Sequence, residues 1–324
     1  DMDIIKVAYP KFQEILEICD DLFHGLDYTQ FFTDDPLIRA KTIKKGVNFL
    51  LKPDNEEEKE EFLTYALRLK QALSLCRSKA TETERLEAAY FEAVRTLLTR
   101  ITRPGKLSPA EINKQISELL EHSIKSEGVI NLFSDVQEET SLFDETFLAR
   151  INKMQERNLA IELLQKLLKD EIKGKKYNQN VVKSEKFSEM LTKIMNKYVN
   201  GHITNQEVID ELINLAQEIK EDNNAGEKLG LTNEELAFYD AITQPENIKD
   251  FYENDELIAI TRELTEKLNR NRTIDWNKKE SARALMRVTV KHLLREHDYP
   301  PDGLETAINT VIEQCEQWAD AIEM

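Results

Sequence analysis

Apolar residues recur at spacings of three and four along almost the whole chain, and strict alternation of apolar and polar residues is rare. This spacing places apolar side chains on one face of an α-helix. The clearest stripes are Phe62, Tyr65, Leu69, Leu73 and Cys76, and then Leu304, Ile308, Val311, Cys315 and Trp318. No fixed repeat of about 33–45 residues indicates a regular solenoid. The pattern predicts an all-α protein, an irregular bundle of about a dozen helices.

Helix starts are marked by residues whose side chains can accept hydrogen bonds from the first backbone N–H groups. Thr81, Thr204 and Thr232 each stand three residues before a glutamate, which is the spacing of a capping box. Ser108 is followed by Pro109, a proline suited to the first helical position. Each of these four sites predicts the beginning of a helix.

The first helix is predicted from Tyr9 to Phe23, with Gly25 supplying the left-handed conformation that ends it. Asp54 is predicted to cap the third helix. A partly β-branched stretch, Gly128 to Ser134, is the one place where the pattern allows a strand-like segment.

A polar stretch over residues 174–182 separates two helical regions, as a linker would. We therefore predict an N-terminal helical lobe over residues 1–173 and a C-terminal helical lobe over residues 183–324. The sequence that begins at Asp1 resembles the interior of a protein, so we expect this chain to be a fragment of a longer protein.

The composition narrows the class of protein. Nine glycines in 324 residues is under half of the usual content of about 7%, which disfavours glycine-dependent hairpins and phosphate-binding loops. The cysteines Cys19, Cys76 and Cys315 lie far apart on apolar helical faces, so we expect buried thiols rather than disulfides or metal ligands. Without an apolar run of about 18 residues or a secretory signal, the sequence favours a cytoplasmic protein.

Charge is distributed unevenly along the chain. The total is −17, yet residues 262–300 hold ten Lys/Arg and six Asp/Glu, a net charge of +4. A basic helix is predicted over residues 277–295, with a ridge of cations at four-residue intervals on one side: Lys279, Arg283, Arg287, Lys291 and Arg295. A solvated surface ridge is the plainest interpretation of such a charge run.

The other side of this helix is expected to be buried through Leu285, Val288 and Leu293. We expect Arg283 or Arg287 to pair with a carboxylate of another helix and to hold the last three helices together. Asp275 or Asn277 is predicted to cap the helix, and Tyr299-Pro300-Pro301 is predicted to stop it, because proline cannot continue a helix.

Several short motifs resemble the C-terminal region of the R (restriction and translocation) subunit of type I restriction enzymes. In the basic segment they are Asp275-Trp276, Arg283-Ala284, Met286-Arg287, Lys291, Leu293-Leu294-Arg295 and Tyr299-Pro300-Pro301. Upstream and in the same order are Thr102-Arg103-Pro104-Gly105, Leu142-Phe143-Asp144, Asn158-Leu159-Ala160, Tyr198-Val199-Asn200, Leu229-Gly230-Leu231-Thr232-Asn233-Glu234-Glu235 and Ala237-Phe238-Tyr239-Asp240. The resemblance extends from about Phe23 to the C-terminal helix.

The resemblance implies a parent protein that is an ATP-dependent DNA translocase and endonuclease. No Gly-x-x-x-x-Gly-Lys-Ser/Thr loop is present, no strands offer a nuclease triad, and the histidines lack metal-ligand spacing. We therefore expect no catalytic, cofactor or metal residues in this fragment, and expect ATP and magnesium to bind only in the upstream domains of the parent.

The function implied by the resemblance is mechanical: the fragment packs beside the helicase-like domains of its parent and docks them to the methyltransferase core of M and S subunits. Candidate structural or interface anchors are Asp275, Trp276, Tyr299 and Trp318. An alternative is contact with the backbone of double-stranded DNA along the translocation path, through the cationic ridge together with Arg100, Arg103 and Lys106. A third possibility is a helical scaffold unrelated to restriction.

Overall fold

The computed structural model describes residues 2–105, 108–123, 130–133, 144–174, 180–245, 248–271 and 280–322. Its regular elements are helices, and no strand occurs within these ranges, which confirms the predicted fold class. The α-helices are α1 Met2–Asp21, α2 Pro36–Leu50, α3 Glu56–Cys76, α4 Glu82–Thr102, α5 Pro109–Ser123, α6 Glu145–Lys153, α7 Arg157–Ile172, α8 Val181–Val199, α9 Asn205–Asn223, α10 Ala225–Leu229, α11 Asn233–Thr243, α12 Ile248–Phe251, α13 Asn254–Asn271, α14 Glu280–Glu296 and α15 Pro301–Ile322. A short 3-10 helix, Thr29–Phe32, lies between α1 and α2.

The predicted capping boxes are confirmed. The backbone N–H of Thr81 donates to Glu84 Oε2 over 2.7 Å, and the N–H of Glu84 donates back to the Thr81 hydroxyl. The same reciprocal pair forms at the start of α11, where the N–H of Thr232 donates to Glu235 over 2.8 Å. Each box satisfies backbone donors that the helix itself leaves unpaired.

Three local predictions need correction. Helix α1 begins at Met2 rather than Tyr9 and carries Pro10 within it. The N-cap of α3 is Asn55 rather than Asp54, and its side chain donates to the carbonyl of Phe49 instead of capping the helix. Residues 130–133 form no strand, and the remainder of the strand-like segment lies outside the described residues.

The chain divides into two compact units, one of residues 1–167 with 194–213 and the other of residues 168–193 with 214–324. The divisions fall inside α7, α8 and α9. Most of the predicted linker lies outside the described residues, so the proposed lobe boundary stays a prediction.

An aromatic cluster forms the core of the first unit. Phe23 follows α1, and its ring lies 5.1 Å from that of Phe62 and 5.4 Å from that of Phe91, centroid to centroid. Tyr90 of α4 stacks on Tyr28 at 4.6 Å. Aromatic pairs at these distances add to the stabilisation that burial provides, so the cluster joins α1, α3 and α4 through the same few side chains.

The core of the second unit is built mainly by α11, α13, α14 and α15. These helices bury aliphatic side chains such as Leu257, Leu264 and Ile308 against one another. A polar contact accompanies them, because Gln314 of α15 accepts a hydrogen bond of 2.8 Å from the N–H of Val181 at the start of α8. The basic helix α14 therefore forms one side of this core, and its packing against the neighbouring helices sets its orientation.

Candidate functional site

The buried face of α14 differs from the predicted one. Leu285 and Val288 are 54% and 50% exposed, while Met286, Val290, Leu293 and Leu294 are buried. The prediction that Leu285 and Val288 face the core is therefore wrong, and only Leu293 of the three is buried. Both faces of α14 carry apolar side chains, and the spacing 286, 290, 293 is the one that meets the neighbouring helices.

The two arginines expected to pair with carboxylates both do so. Arg283 lies 2.5 Å from Glu316 of α15, and Arg287 lies 2.5 Å from Glu305 of the same helix. A second Arg287 nitrogen donates to Asn309 Oδ1 over 2.6 Å. The pairs join α14 to α15, so they hold two helices together rather than the predicted three.

Solvent reaches both ion pairs. The side chains of Arg283 and Glu316 are 47% and 32% exposed, and those of Arg287 and Glu305 are 41% and 64% exposed. Water weakens the attraction between such charges, and exposed pairs contribute at most about 1 kcal/mol. The two pairs orient α15 on α14 without being a major source of stability.

The rest of the predicted ridge continues along the outer side of α14. Arg295 is exposed and Lys291 is half-buried, and neither forms an ion pair with another described residue. Lys279 lies outside the described residues. Of the four predicted cations that the structure describes, two are thus matched by carboxylates within the fold.

Tyr299 and Trp318 lie in the core of the second unit. The Tyr299 hydroxyl donates to the carbonyl of Ile242 over 2.5 Å, and burial raises the pKa of that phenol. The Trp318 ring packs edge-on against Phe238 at 5.0 Å between centroids. Asp275 and Trp276 lie outside the described residues, so their predicted roles stay predictions.

The turn between α14 and α15 follows the prediction that the helix stops before the prolines. Asp298 adopts φ of +54°, the left-handed conformation, and the N–H of Tyr299 donates to the carbonyl of Leu294 over 2.9 Å. That bond closes the end of α14, and Pro301 then begins α15. The turn directs Tyr299 into the core.

The second predicted basic group lies at the end of α4. Arg100 pairs with Glu111 of α5 over 2.9 Å, while Arg103 is exposed and forms no ion pair with another described residue. Both line a surface cavity of about 280 Å³ together with Arg95, Thr99 and Gln115. Lys106 lies outside the described residues. Sequence reasoning had not singled out Arg95 or Thr99 of α4, or Gln115, which α5 brings to the cavity.

A buried charged cluster was also missed by the sequence analysis. Lys183 Nζ lies 2.7 Å from Asp222 and 3.4 Å from Asp240, and Asn180 donates to Asp240 over 2.7 Å. Burial raises the pKa of Asp240, although the neighbouring ammonium of Lys183 opposes that rise. The three charged residues come from α8, α9 and α11, so no local pattern announces the cluster.

Among the described residues no group of three His, Cys, Asp or Glu side chains is arranged to hold a metal ion. His297 instead lies 2.9 Å from Glu263 of α13, with both side chains partly exposed. No helix in the described part of the chain has the length and apolar character of a membrane span.

Comparisons with known proteins identify the class as the endonuclease subunit of type I restriction enzymes. Residues 2–321 match the model of the family described as "Type I restriction enzyme HindI endonuclease subunit-like, C-terminal". The chain belongs to this family.

Two curated relatives carry names of the same class. The type I restriction enzyme HindI endonuclease subunit of Haemophilus influenzae is 36% identical over 273 residues, covering 83% of this chain and 26% of the relative. The putative type I restriction enzyme MjaIXP endonuclease subunit of Methanocaldococcus jannaschii is 27% identical over 303 residues, covering 90% of this chain and 28% of the relative. The chain thus spans about a quarter of the length of these relatives. No solved structure matches it.

Proposed function

We propose that this chain is a non-catalytic docking region of a type I restriction endonuclease subunit. Its role would be to attach the translocating and cleaving parts of that subunit to the methyltransferase core of M and S subunits. Family membership supports the restriction-enzyme setting and speaks against a scaffold unrelated to restriction.

The outward face of α14 carries this proposal. Leu285 and Val288 are each about half exposed, at 54% and 50%, and lie one turn apart on a helix whose other face is buried. Neighbouring apolar side chains at the surface are typical of protein–protein interfaces, with charged residues around them. Lys291 and Arg295 supply the charged border. We assign the docking contact to this α14 outer face: Ala284, Leu285, Val288, Lys291, His292 and Arg295.

The alternative of a DNA backbone track along the same helix is less well supported. A duplex is bound through uncompensated cations, each replacing a counterion on a phosphate. Arg283 and Arg287 already face Glu316 and Glu305 at 2.5 Å. Apolar side chains beside the remaining cations favour a protein partner over a phosphate backbone.

The docking proposal is tested by size-exclusion chromatography of this chain with the M and S subunits of its own system at physiological salt. The unmodified chain should co-elute with them, and Leu285→Ser/Val288→Ser should not. The matched control is Leu67→Ser/Leu75→Ser, which removes two leucines of α3 that are 43% and 56% exposed. Separate elution of the unmodified chain, or co-elution of both double variants, would contradict the proposal.

A further inference from the structure

The last turns of α4 and the facing part of α5 border the open surface cavity lined by Arg95, Thr99, Arg100, Arg103 and Gln115, here called the arginine cavity. Its volume of about 280 Å³ is near the lower limit of small-ligand sites, about 300 Å³, and far above the roughly 30 Å³ that one water occupies. The cavity has room for a small polyatomic ion with its hydration water.

Positive charge around the arginine cavity is only partly compensated. Glu92 serves two cations at once, lying 2.9 Å from Arg95 and 3.0 Å from Lys70. Glu111 is paired with Arg100 at 2.9 Å. Arg103, the third arginine that lines the cavity, has no ion pair with another described residue. The cavity thus carries a cation without a described carboxylate partner in a chain whose total charge is −17.

A helix C-terminus normally repels anions, because its last carbonyl groups carry partial negative charge. Here Lys166 of α7 donates a hydrogen bond of 3.0 Å to the carbonyl of Arg103. This ammonium group offsets part of the negative charge at the end of α4 that would otherwise oppose an anion.

Thr99 provides a hydrogen-bonding group that has no partner among the described residues. On the same helix, Thr96 and Thr102 donate their hydroxyls to the carbonyls of Glu92 and Leu98, four residues earlier, over 2.8 and 2.9 Å. The Thr99 hydroxyl is buried and forms no hydrogen bond within the described structure. Buried polar groups are normally satisfied, so an unsatisfied one beside a cationic cavity indicates a ligand or water there.

We propose that the arginine cavity is a binding site for a phosphate-type oxyanion. Guanidinium groups suit it, because their N–H donors match the oxygen spacing of phosphate and hold it by charge-assisted hydrogen bonds. Arg103 supplies the uncompensated charge, and Thr99 and Gln115 supply neutral hydrogen-bonding groups. The oxyanion can come from a free phosphate ligand or from a nucleic-acid backbone. This proposal is independent of the docking role assigned to the α14 outer face.

Equilibrium dialysis of the whole chain against radiolabelled inorganic phosphate, at constant ionic strength with acetate as the replacing anion, tests the site. We expect saturable binding to one site. Arg103→Ala should weaken it about tenfold, since a hydrogen bond to a charged group is worth about 1.5 kcal/mol or more. Thr99→Val, which breaks no hydrogen bond within the described structure, should weaken it several-fold.

Arg270→Ala is the matched control. Arg270 lies in the second unit, is 72% exposed and pairs with Glu266 of its own helix. Its loss changes the net charge equally and should leave phosphate binding unchanged. Circular dichroism checks that each variant is folded. Absent or non-saturable binding to the unmodified chain, or equal affinities in the parent and Arg103→Ala, would overturn the proposal.

A competition experiment between labelled phosphate and DNA identifies the source of the oxyanion. A short DNA duplex that displaces labelled phosphate from the parent, but binds Arg103→Ala more weakly, supports a nucleic-acid backbone at the site. Retention of the labelled phosphate in the presence of duplex supports a free phosphate ligand. Either result supports the oxyanion site, whereas duplex binding unaffected by added phosphate and by Arg103→Ala would contradict a shared site.

Discussion

At the residue scale, the two arginine–carboxylate pairs of α14 matter through their exposure to solvent. Breaking a buried pair costs about 3–5 kcal/mol, because one charge is left uncompensated in a medium of low polarity. The side chains of these pairs are between 32% and 64% exposed. When one partner is removed, water therefore solvates the charge that remains. Sequence reasoning anticipated the pairing, but the energy depends on burial, which only the fold sets.

We predict that Arg283→Ala and Arg287→Ala each lower the free energy of unfolding by at most about 1 kcal/mol. Urea titrations at low salt and at high salt should show the loss shrinking as ions screen the pairs. A loss of about 3 kcal/mol or more in either variant would show that the pair acts as a buried one.

A second residue-scale prediction concerns Asp240 beside Lys183. Because burial raises the pKa of Asp240, the folded chain retains this proton to a higher pH than the unfolded chain does. The stability contributed by the carboxyl is therefore fully present below its unfolded pKa of about 3.9 and is lost as the pH rises through the folded pKa. Asp240→Asn should remove this loss, so the variant should gain stability relative to the parent with rising pH.

Urea titrations between about pH 2 and pH 7, a range that extends below the unfolded pKa of aspartate, measure this difference. Asp144→Ala is the control of opposite sign, because hydrogen bonds from Thr146 lower the pKa of Asp144. Its contribution is present above the unfolded pKa and is lost as the pH falls, so this variant should lose stability relative to the parent with rising pH. A pH-independent difference between Asp240→Asn and the parent would refute the assignment.

At the scale of elements, α2 and α4 approach closely because Gly46 lacks a side chain. A Cβ added there would lie 2.2 Å from the Tyr90 hydroxyl oxygen and 3.0 Å from Val94 Cγ2. Alanine normally stabilises a helix interior by about 0.5–1 kcal/mol relative to glycine. At this position the cost of overpacking, about 1–3 kcal/mol, should exceed that gain, because the aromatic cluster holds Tyr90 in place.

We therefore predict that Gly46→Ala lowers the melting temperature. The Tyr90 hydroxyl is buried without a hydrogen-bond partner among the described residues, so Tyr90→Phe alone should cost little. Combining the two substitutions should recover part of the loss, because the nearest clashing atom has been removed. A double variant as unstable as Gly46→Ala alone would locate the strain elsewhere.

At the scale of the whole molecule, the match to this chain covers about a quarter of the length of its relatives. The sequence of this chain contains no phosphate-binding loop of the Gly-x-x-x-x-Gly-Lys-Ser/Thr type. ATPases of the P-loop class use the backbone and the lysine of this loop to hold the terminal phosphates of the nucleotide. We predict that the purified chain neither hydrolyses ATP nor cleaves DNA. A full-length endonuclease subunit assembled with its methyltransferase is the positive control, and turnover by the chain that persists through repurification would refute the prediction.

The sequence alone determined the helical class, several helix starts and the resemblance to restriction-enzyme subunits. These features are local: a spacing of three and four residues, and a threonine three residues before a glutamate, act within one or two helical turns. The turn before Pro300 was predictable for the same reason. The anchoring of Tyr299 to the carbonyl of Ile242 was not, because its partner is distant in the chain.

Tertiary structure decided the rest. Helix α14 carries two apolar faces, and burial of Met286 rather than Leu285 depends on where α13 and α15 lie against it. The Lys183 cluster is assembled from three helices, so its charges have no common sequence signal. The arginines of the arginine cavity lie on α4 or at its end, and two of them were singled out from the sequence, but the carboxylate Glu111 that pairs with Arg100 comes from α5. Which charges are compensated, and which remain available to a ligand or partner, follows from packing between helices and is not encoded in the spacing within any one of them.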